Sequence, residues 1–189
     1  MYIIAGLGNP GNQYRFTRHN IGFRVIEELQ KRYFAKMALH KTSNSILGKI
    51  KIIDKDVILL MPQTYMNNSG MSIAVIKKKF SVRASNIVVI HDEIDLPLGK
   101  IKVKFGGGIA GHNGLKSIVE NIATKDFSRV RIGIGKPDKN NMSVSSFVLS
   151  EFAKEEKLLI EQTVSKAADA AVSIIEIGLE KTMNLFNKS

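Results

Sequence analysis

The chain has 189 residues, enough for one domain with a sizeable core and too few for two ordinary ones; 44% hydrophobic and 24% charged residues exclude a disordered or collagen-like chain. Lys and Arg number 28 against 17 Asp and Glu, a formal charge of +11 that favours a polyanionic partner. Cysteine is absent, which removes disulfide scaffolds, thiolate metal centres and cysteine nucleophiles and fits a cytoplasmic protein.

Tyr2 to Leu7 is a short β-prone run closed by glycines, the pattern of a buried core strand. The run is too short for a signal-peptide core and follows no basic leader, so no export is expected. From Ile21 the residues Val25, Ile26, Leu29, Tyr33 and Phe34 recur at helical spacing among Glu27, Glu28, Lys31 and Arg32, which predicts an amphipathic helix. Ile46 to Ile53 and Val57 to Met61 are strand-like runs, and the polar Asp54-Lys55-Asp56 between them predicts an antiparallel hairpin. A polar stretch over 63–70 leads into a second helix over Met71 to Phe80, with Lys77, Lys78 and Lys79 near the negative end of its dipole. Ile87 to Ile90 is a continuous apolar strand that runs into His91-Asp92-Glu93, so polar chemistry stands at the strand's carboxyl end. None of these apolar runs has the length of a membrane span, and no membrane contact is expected.

Residues 100–105 alternate strictly, with Lys100, Lys102 and Lys104 on one face and Ile101, Val103 and Phe105 on the other. Gly106-Gly107-Gly108 and Gly111-His-Asn-Gly114 then open a third helix through Leu115, Ile118, Val119 and Ile122. Arg129 to Ile134 alternates again, residues 135–146 form a polar and mobile loop, and a helical pattern runs from Phe152 to about Leu179 with a break near Gly178. This succession predicts one α/β domain over residues 1–189, with a mixed, mostly parallel, twisted sheet flanked by helices.

Gly6-Leu-Gly8-Asn-Pro-Gly11 matches a dinucleotide-binding turn, yet Pro10 and the polar residues 11–20 delay helical periodicity to Ile21, the wrong geometry for that motif. His19, in Thr17-Arg-His-Asn20, is either a solvated loop histidine or a base acting near neutral pH, and Asn20 reads as a helix cap. Asn9, Asn67 and Asn113 stand after strands or at helix starts, where they cap helices or offer uncharged carboxamides to a substrate. His91-Asp-Glu-Ile-Asp95 fits no strong metal spacing, and the preferred reading is that Asp92 orients a histidine, as in catalytic triads. The glycines over 106–111 serve either as a phosphate cradle or for close packing. If the strand with Arg129 and Arg131 pairs beside Lys100, Lys102 and Lys104, the two form a basic surface suited to nucleic-acid phosphates. Gly-x-Ser-x-Gly, P-loop and His-Glu-x-x-His motifs are absent, so serine hydrolase, NTPase and zincin readings lose their support.

Taken together, the chain resembles the bacterial peptidyl-tRNA hydrolases over nearly its whole length. The resemblance rests on Gly6-Leu-Gly-Asn-Pro-Gly11, Thr17-Arg-His-Asn20, Thr64-Tyr-Met-Asn67 with Ser69-Gly70, His91-Asp-Glu93, Gly111-His-Asn-Gly114 and Arg129-Val-Arg-Ile-Gly-Ile-Gly135. It implies cleavage of the ester between a peptide and the 3′ end of tRNA, recycling peptidyl-tRNA dropped from ribosomes. It further implies that His19 is the general base, that Asp92 orients it and that Asn9 helps to tell a blocked amino end from a free one. Tyr14, Tyr65, Met66, Asn67 and Asn113 are then expected around the acceptor end and its peptide, with His112 in support. Lys104 and Arg131 are expected on the terminal phosphate. The family pattern implies no metal or cofactor, a monomer and no obligate protein partner. Two departures stand at the cleft rim: Ile109-Ala110 where His-Gly is common, and Met61 where lysine is common.

Overall fold

A computed structural model of the chain describes residues 1–137 and 142–188. Its strands are β1 (Tyr2–Gly6), β2 (Ala38–His40), β3 (Ser45–Ile52), β4 (Lys55–Pro62), β5 (Ile87–Glu93), β6 (Ile101–Phe105) and β7 (Ser128–Gly133). They form one seven-stranded sheet in the order β2-β3-β4-β1-β5-β7-β6. The central β4, β1, β5 and β7 run parallel, whereas β2 and β3 at one margin and β6 at the other pair antiparallel. The continuous apolar runs account for the centre, since parallel strands are covered on both faces. β6 alternates because it is an edge strand, and Lys104 at its exposed end faces solvent.

The helices are α1 (Ile21–Arg32), α2 (Ser69–Lys79), α3 (Asn113–Ile122), α4 (Val144–Val148), α5 (Lys157–Glu176) and α6 (Leu179–Phe186). α1 and α5 cover one face, where Val25, Ile26, Leu29, Ala171 and Ile174 share a core with Ile4, Leu59 and Val88. α2 and α3 cover the other, where Ile73, Ile76, Leu115 and Ile118 share a core with Ile3, Leu60 and Val89. β1 and β4 therefore send their following helices to opposite faces, and a crevice opens at the carboxyl ends of β4, β1 and β5.

The glycines after β1 serve this crossing and no dinucleotide turn. A Cβ on Gly6 would stand 2.2 Å from the Gly22 carbonyl oxygen, and one on Gly22 would stand 2.4 Å from the Leu7 nitrogen. Only glycines let α1 cross β1 this closely, and the crossing sets the height of the turn Arg18–Asn20 that precedes it.

Several elements differ from expectation: α1 ends at Arg32, leaving Phe34 exposed, α2 starts at Ser69 rather than Met71, and β2 and α6 are additional to the expected elements. The β3–β4 hairpin turns over Ile53 and Asp54 alone, because Lys55 pairs with Ile52 and its ammonium donates to the Ile175 carbonyl. The helical pattern from Phe152 starts as a helix only at Lys157, since Phe152 is buried in the core and Glu151 forms a β-bridge with Thr17. The polar stretch over 135–146 ends in α4, which starts because the Ser143 hydroxyl accepts the Ser146 N–H at 3.2 Å. The mobile loop expected over 135–146 gives way to α4 from Val144, and residues 138–141 of it lie outside the described residues. Among the described residues no helix is long and apolar enough to cross a membrane.

Candidate active site

A cleft of about 640 Å³ occupies the crevice, and Asn9, His19, Met66, Asn67, Asp92, His112 and Asn113 line it. Each reaches it from the end of an element: Asn9 after β1, His19 from the turn before α1, Met66 and Asn67 from the turn before α2, Asp92 from β5 and His112 from the start of α3. Val144, Ser145, Val148 and Leu149 of α4 and the residue after it close the cleft from the far side.

Asp92 is the hinge of the site. Its buried Oδ1 lies 2.8 Å from His19 Nδ1 and 3.0 Å from His112 Nε2. Burial alone would push its carboxyl up, but His112 and His19 outweigh it and hold the carboxyl well below the usual range, so Asp92 is an anion. His112 Nδ1 accepts the N–H groups of Gly114 and Leu115 at 3.1 and 3.4 Å, which caps α3 and leaves the ring proton on Nε2, directed at Asp92. His19 in turn donates Nδ1–H to the carboxylate and keeps the lone pair of Nε2. The side chain of His19 is 11% exposed, enough to meet water from the cleft.

This arrangement decides between a metal and a proton-transfer site. His19, Asp92 and His112 place three ligand-type atoms within 4.8 Å of one another. Ligation through His112 Nε2 would put a proton on Nδ1, against two backbone donors, so the donor set does not suit a cation. Hydrogen bonding to a carboxylate suits it.

His91 sits beneath His112, ring centroids 5.0 Å apart in an edge-on contact, and His19 lies 5.1 Å from His112 on the other side. Burial holds the His91 imidazole well below its ordinary value, with His112 acting in the same direction, so it is neutral. Its Nδ1 bonds the Asp92 carbonyl at 2.7 Å, and its buried Nε2 has no partner among the described residues.

Asn9 is fixed on three sides. Its backbone N–H donates to Asn20 Oδ1 at 2.9 Å, its carbonyl accepts Asn20 Nδ2 at 2.9 Å, and its Oδ1 accepts the Met66 N–H at 2.7 Å. The Asn9 amide nitrogen is left as a donor for the cleft. Tyr65, the residue before Met66, has φ 56 and ψ 159, a strained backbone for a side-chain-bearing residue, and its ring meets Tyr14 edge-on at 6.4 Å. Asn67 and Asn113 are exposed in the cleft, and neither carboxamide hydrogen-bonds another described residue.

None of these asparagines caps its helix. Asn20 and Asn68 precede α1 and α2 without a side-chain cap bond, and His112 rather than Asn113 caps α3. Asn20 instead reaches back to Asn9, a contact across a loop that spacing does not reveal. The one legible sign of His112's task is its place just before a helical pattern.

The basic strands do pair, Lys104 opposite Arg129 and Lys102 opposite Arg131, so these four side chains share one face. They are not equivalent. Arg131 bonds Glu93 Oε2 through Nε and one terminal nitrogen at 3.1 and 3.0 Å, behind the cleft wall. Arg129 is buried and holds the Gly106 and Gly108 carbonyls, which fixes the glycine loop. Lys104 lies against Gly107 at the surface, where a Cβ would stand 2.8 Å from its Nζ. Of the two departures expected at the cleft rim, Ala110 takes the left-handed conformation at φ 47 and lines the cleft, whereas Met61 is buried in the core shared with α1 and does not line it.

The sequence profile of the family described as peptidyl-tRNA hydrolase matches residues 3–189. A peptidyl-tRNA hydrolase of Thermoanaerobacter sp. (strain X514) is 46% identical over 190 residues, covering 99% of this chain and 100% of the relative. One of Mycobacterium marinum (strain ATCC BAA-535 / M) is 44% identical over 182 residues, covering 96% of this chain and 95% of the relative. The crystal structure of the Acinetobacter baumannii enzyme of that name superposes with a TM-score of 0.92 at 38% identity, covering 99% of this chain and 94% of that one.

Proposed function

The chain belongs to the peptidyl-tRNA hydrolase family and is an ester hydrolase of that class; from this premise we propose that His19, oriented by Asp92, is the general base that activates water against the ester joining a peptide to the 3′ end of tRNA. The observation that carries this is the 2.8 Å contact from His19 Nδ1 to Asp92, which leaves Nε2 as an acceptor at the cleft. Water loses its proton to Nε2 as its oxygen bonds the ester carbon. Asp92 stabilises the imidazolium so formed. When the tetrahedral intermediate collapses, the ribose oxygen leaves and takes that proton back, giving free tRNA and a peptide carboxylic acid that then loses its proton to solvent.

The remaining groups divide the substrate between them. The Asn67 and Asn113 carboxamides, without a hydrogen-bond partner among the described residues, offer N–H donors to the oxyanion and the 3′ end. The Asn9 amide nitrogen donates to an acyl carbonyl of a blocked amino end; a free ammonium, a donor itself, gives it no acceptor. Tyr65 stands at the entrance with Tyr14 against it outside the cleft lining, Met66 shapes the floor and His112 supports Asp92. Lys104 and Arg131 hold the terminal phosphate, with the +11 charge drawing tRNA to this face. The enzyme acts as a monomer, without metal or cofactor, and recycles peptidyl-tRNA lost from ribosomes.

His19→Ala tests the assignment. Loss of general-base assistance lowers kcat by about 10²–10⁴-fold, while tRNA affinity, measured by filter retention, stays that of the wild type. An equal loss of binding contradicts the role.

A further inference from the structure

Arg18 precedes the base, is 7% exposed, and does not touch the cleft. Its guanidinium lies between two aromatic rings, 4.6 Å from the Phe147 centroid and 4.7 Å from that of Phe152. One terminal nitrogen donates to the Ile134 carbonyl at 3.2 Å and the other to Glu156 at 2.7 Å. The Arg18 backbone N–H donates to the Ser150 carbonyl at 2.9 Å, and Thr17 bridges Glu151. One side chain therefore grips the chain on both sides of α4, at Ile134 before it and at Phe152 and Glu156 after it, and grips α4 itself through Phe147. A surface arginine would gain little from one ion pair; this one is desolvated, packed against two phenylalanine rings and bonded through both terminal nitrogens, an arrangement lysine does not reproduce.

What Arg18 holds in place is an apolar wall. Val144, Val148 and Leu149 line the cleft, with Ser145 the one polar side chain beside them, and no Lys or Arg is among the described residues that line it. Such a surface has nothing to offer a phosphate and suits a hydrocarbon side chain. We propose that Arg18 is a positioning residue which fixes the α4 wall at the height of His19, making it a subsite for an apolar side chain of the residue esterified to tRNA. The inference rests on the cleft being where the ester is cleaved.

The test compares kcat/KM for N-acetylphenylalanyl-tRNA and N-acetylglycyl-tRNA in the wild type, Arg18→Met, Arg18→Lys and Arg32→Met. Arg32 is the control for stability: it too bonds several partners, Glu28, Asp169 and Ser165, but far from the cleft. The wild type is expected to favour the phenylalanyl substrate by about tenfold, the effect of burying part of an aromatic side chain. In both Arg18 variants that ratio falls towards one through KM of the phenylalanyl substrate, with kcat and the pH profile kept, because the Thr17 and Arg18 backbone contacts still hold His19. Arg32→Met keeps the wild-type ratio. A wild-type ratio near one, or an Arg18→Met ratio equal to that of the wild type, overturns the proposal. Failure of the underlying reading looks different: His19→Ala would then cleave both substrates at the wild-type rate.

Discussion

Asp92 receives two ring N–H groups on one oxygen, and the two histidines differ only in what their other nitrogen does. That of His112 caps α3 and that of His19 faces the cleft. Cap and catalytic support are therefore separable at residue 112. His112→Ala is expected to lose about 1 kcal/mol of stability, the usual worth of a cap, together with part of the activity. His112→Asn restores the cap and the stability but not the activity, and equal urea midpoints for the two variants would remove the capping role. Buried His91 gives the stability a pH dependence. Its folded pKa is depressed, so as pH falls below the unfolded value near ~6.5 the unfolded chain binds a proton that the folded chain refuses. Stability from this group is present above that pH and declines by up to about 1.4 kcal/mol per unit below it. His91→Gln flattens the decline between pH 7 and 5; an unchanged slope in denaturant titrations would show His91 to be charged in the fold. At this scale His19 and Asp92 were legible, because a histidine ahead of a helix and an acid at a strand end are readable types in readable places. Asn20 and Arg18 were not, since their partners lie 11 and 116–138 residues away.

Among the elements, α1 decides where His19 stands. It crosses β1 at Gly6 and Gly22 with no room for a methyl group, and a Cβ on Gly22 would also stand 2.5 Å from the Ile90 carbonyl. Gly22→Ala gains up to about 1 kcal/mol in helix propensity but overpacks rigid backbone, which costs about 1–3 kcal/mol or more. The clash wins, because the neighbours are backbone atoms of two strands. A net destabilisation with lowered kcat, measured by urea unfolding and turnover, is the expected result, whereas a stabilised and fully active variant would mean that the crossing has slack. The central strands and long helices were legible because β1, β4 and β5 carry continuous apolar runs and α1 has one apolar stripe, whereas β2, three residues with no buried side chain, was not. Nor was α4. Five residues give too little periodicity to separate a helix from a polar loop, and beyond its Ser143 cap the helix is held in place by Arg18, whose guanidinium lies over Phe147.

At the scale of the molecule, the excess of positive charge makes binding salt-dependent, since each phosphate contact releases counterions. Lys104→Ala and Arg131→Ala are each expected to raise KM and to flatten its dependence on salt by about one phosphate contact. A slope equal to the wild type's takes that residue off the phosphate. Lys104 is the freer of the two; Arg131 is shared with Glu93, a pairing that the alternating strand patterns do not announce. The proposed role of the His19–Asp92 pair is tested by following acyl release from N-acetyl-aminoacyl-tRNA and from the matching unblocked aminoacyl-tRNA, with chelator present, by wild type and His19→Ala. Rapid release from the blocked substrate alone, lost in His19→Ala, is expected. Tight binding of both substrates without release, or release that survives in His19→Ala, would contradict it.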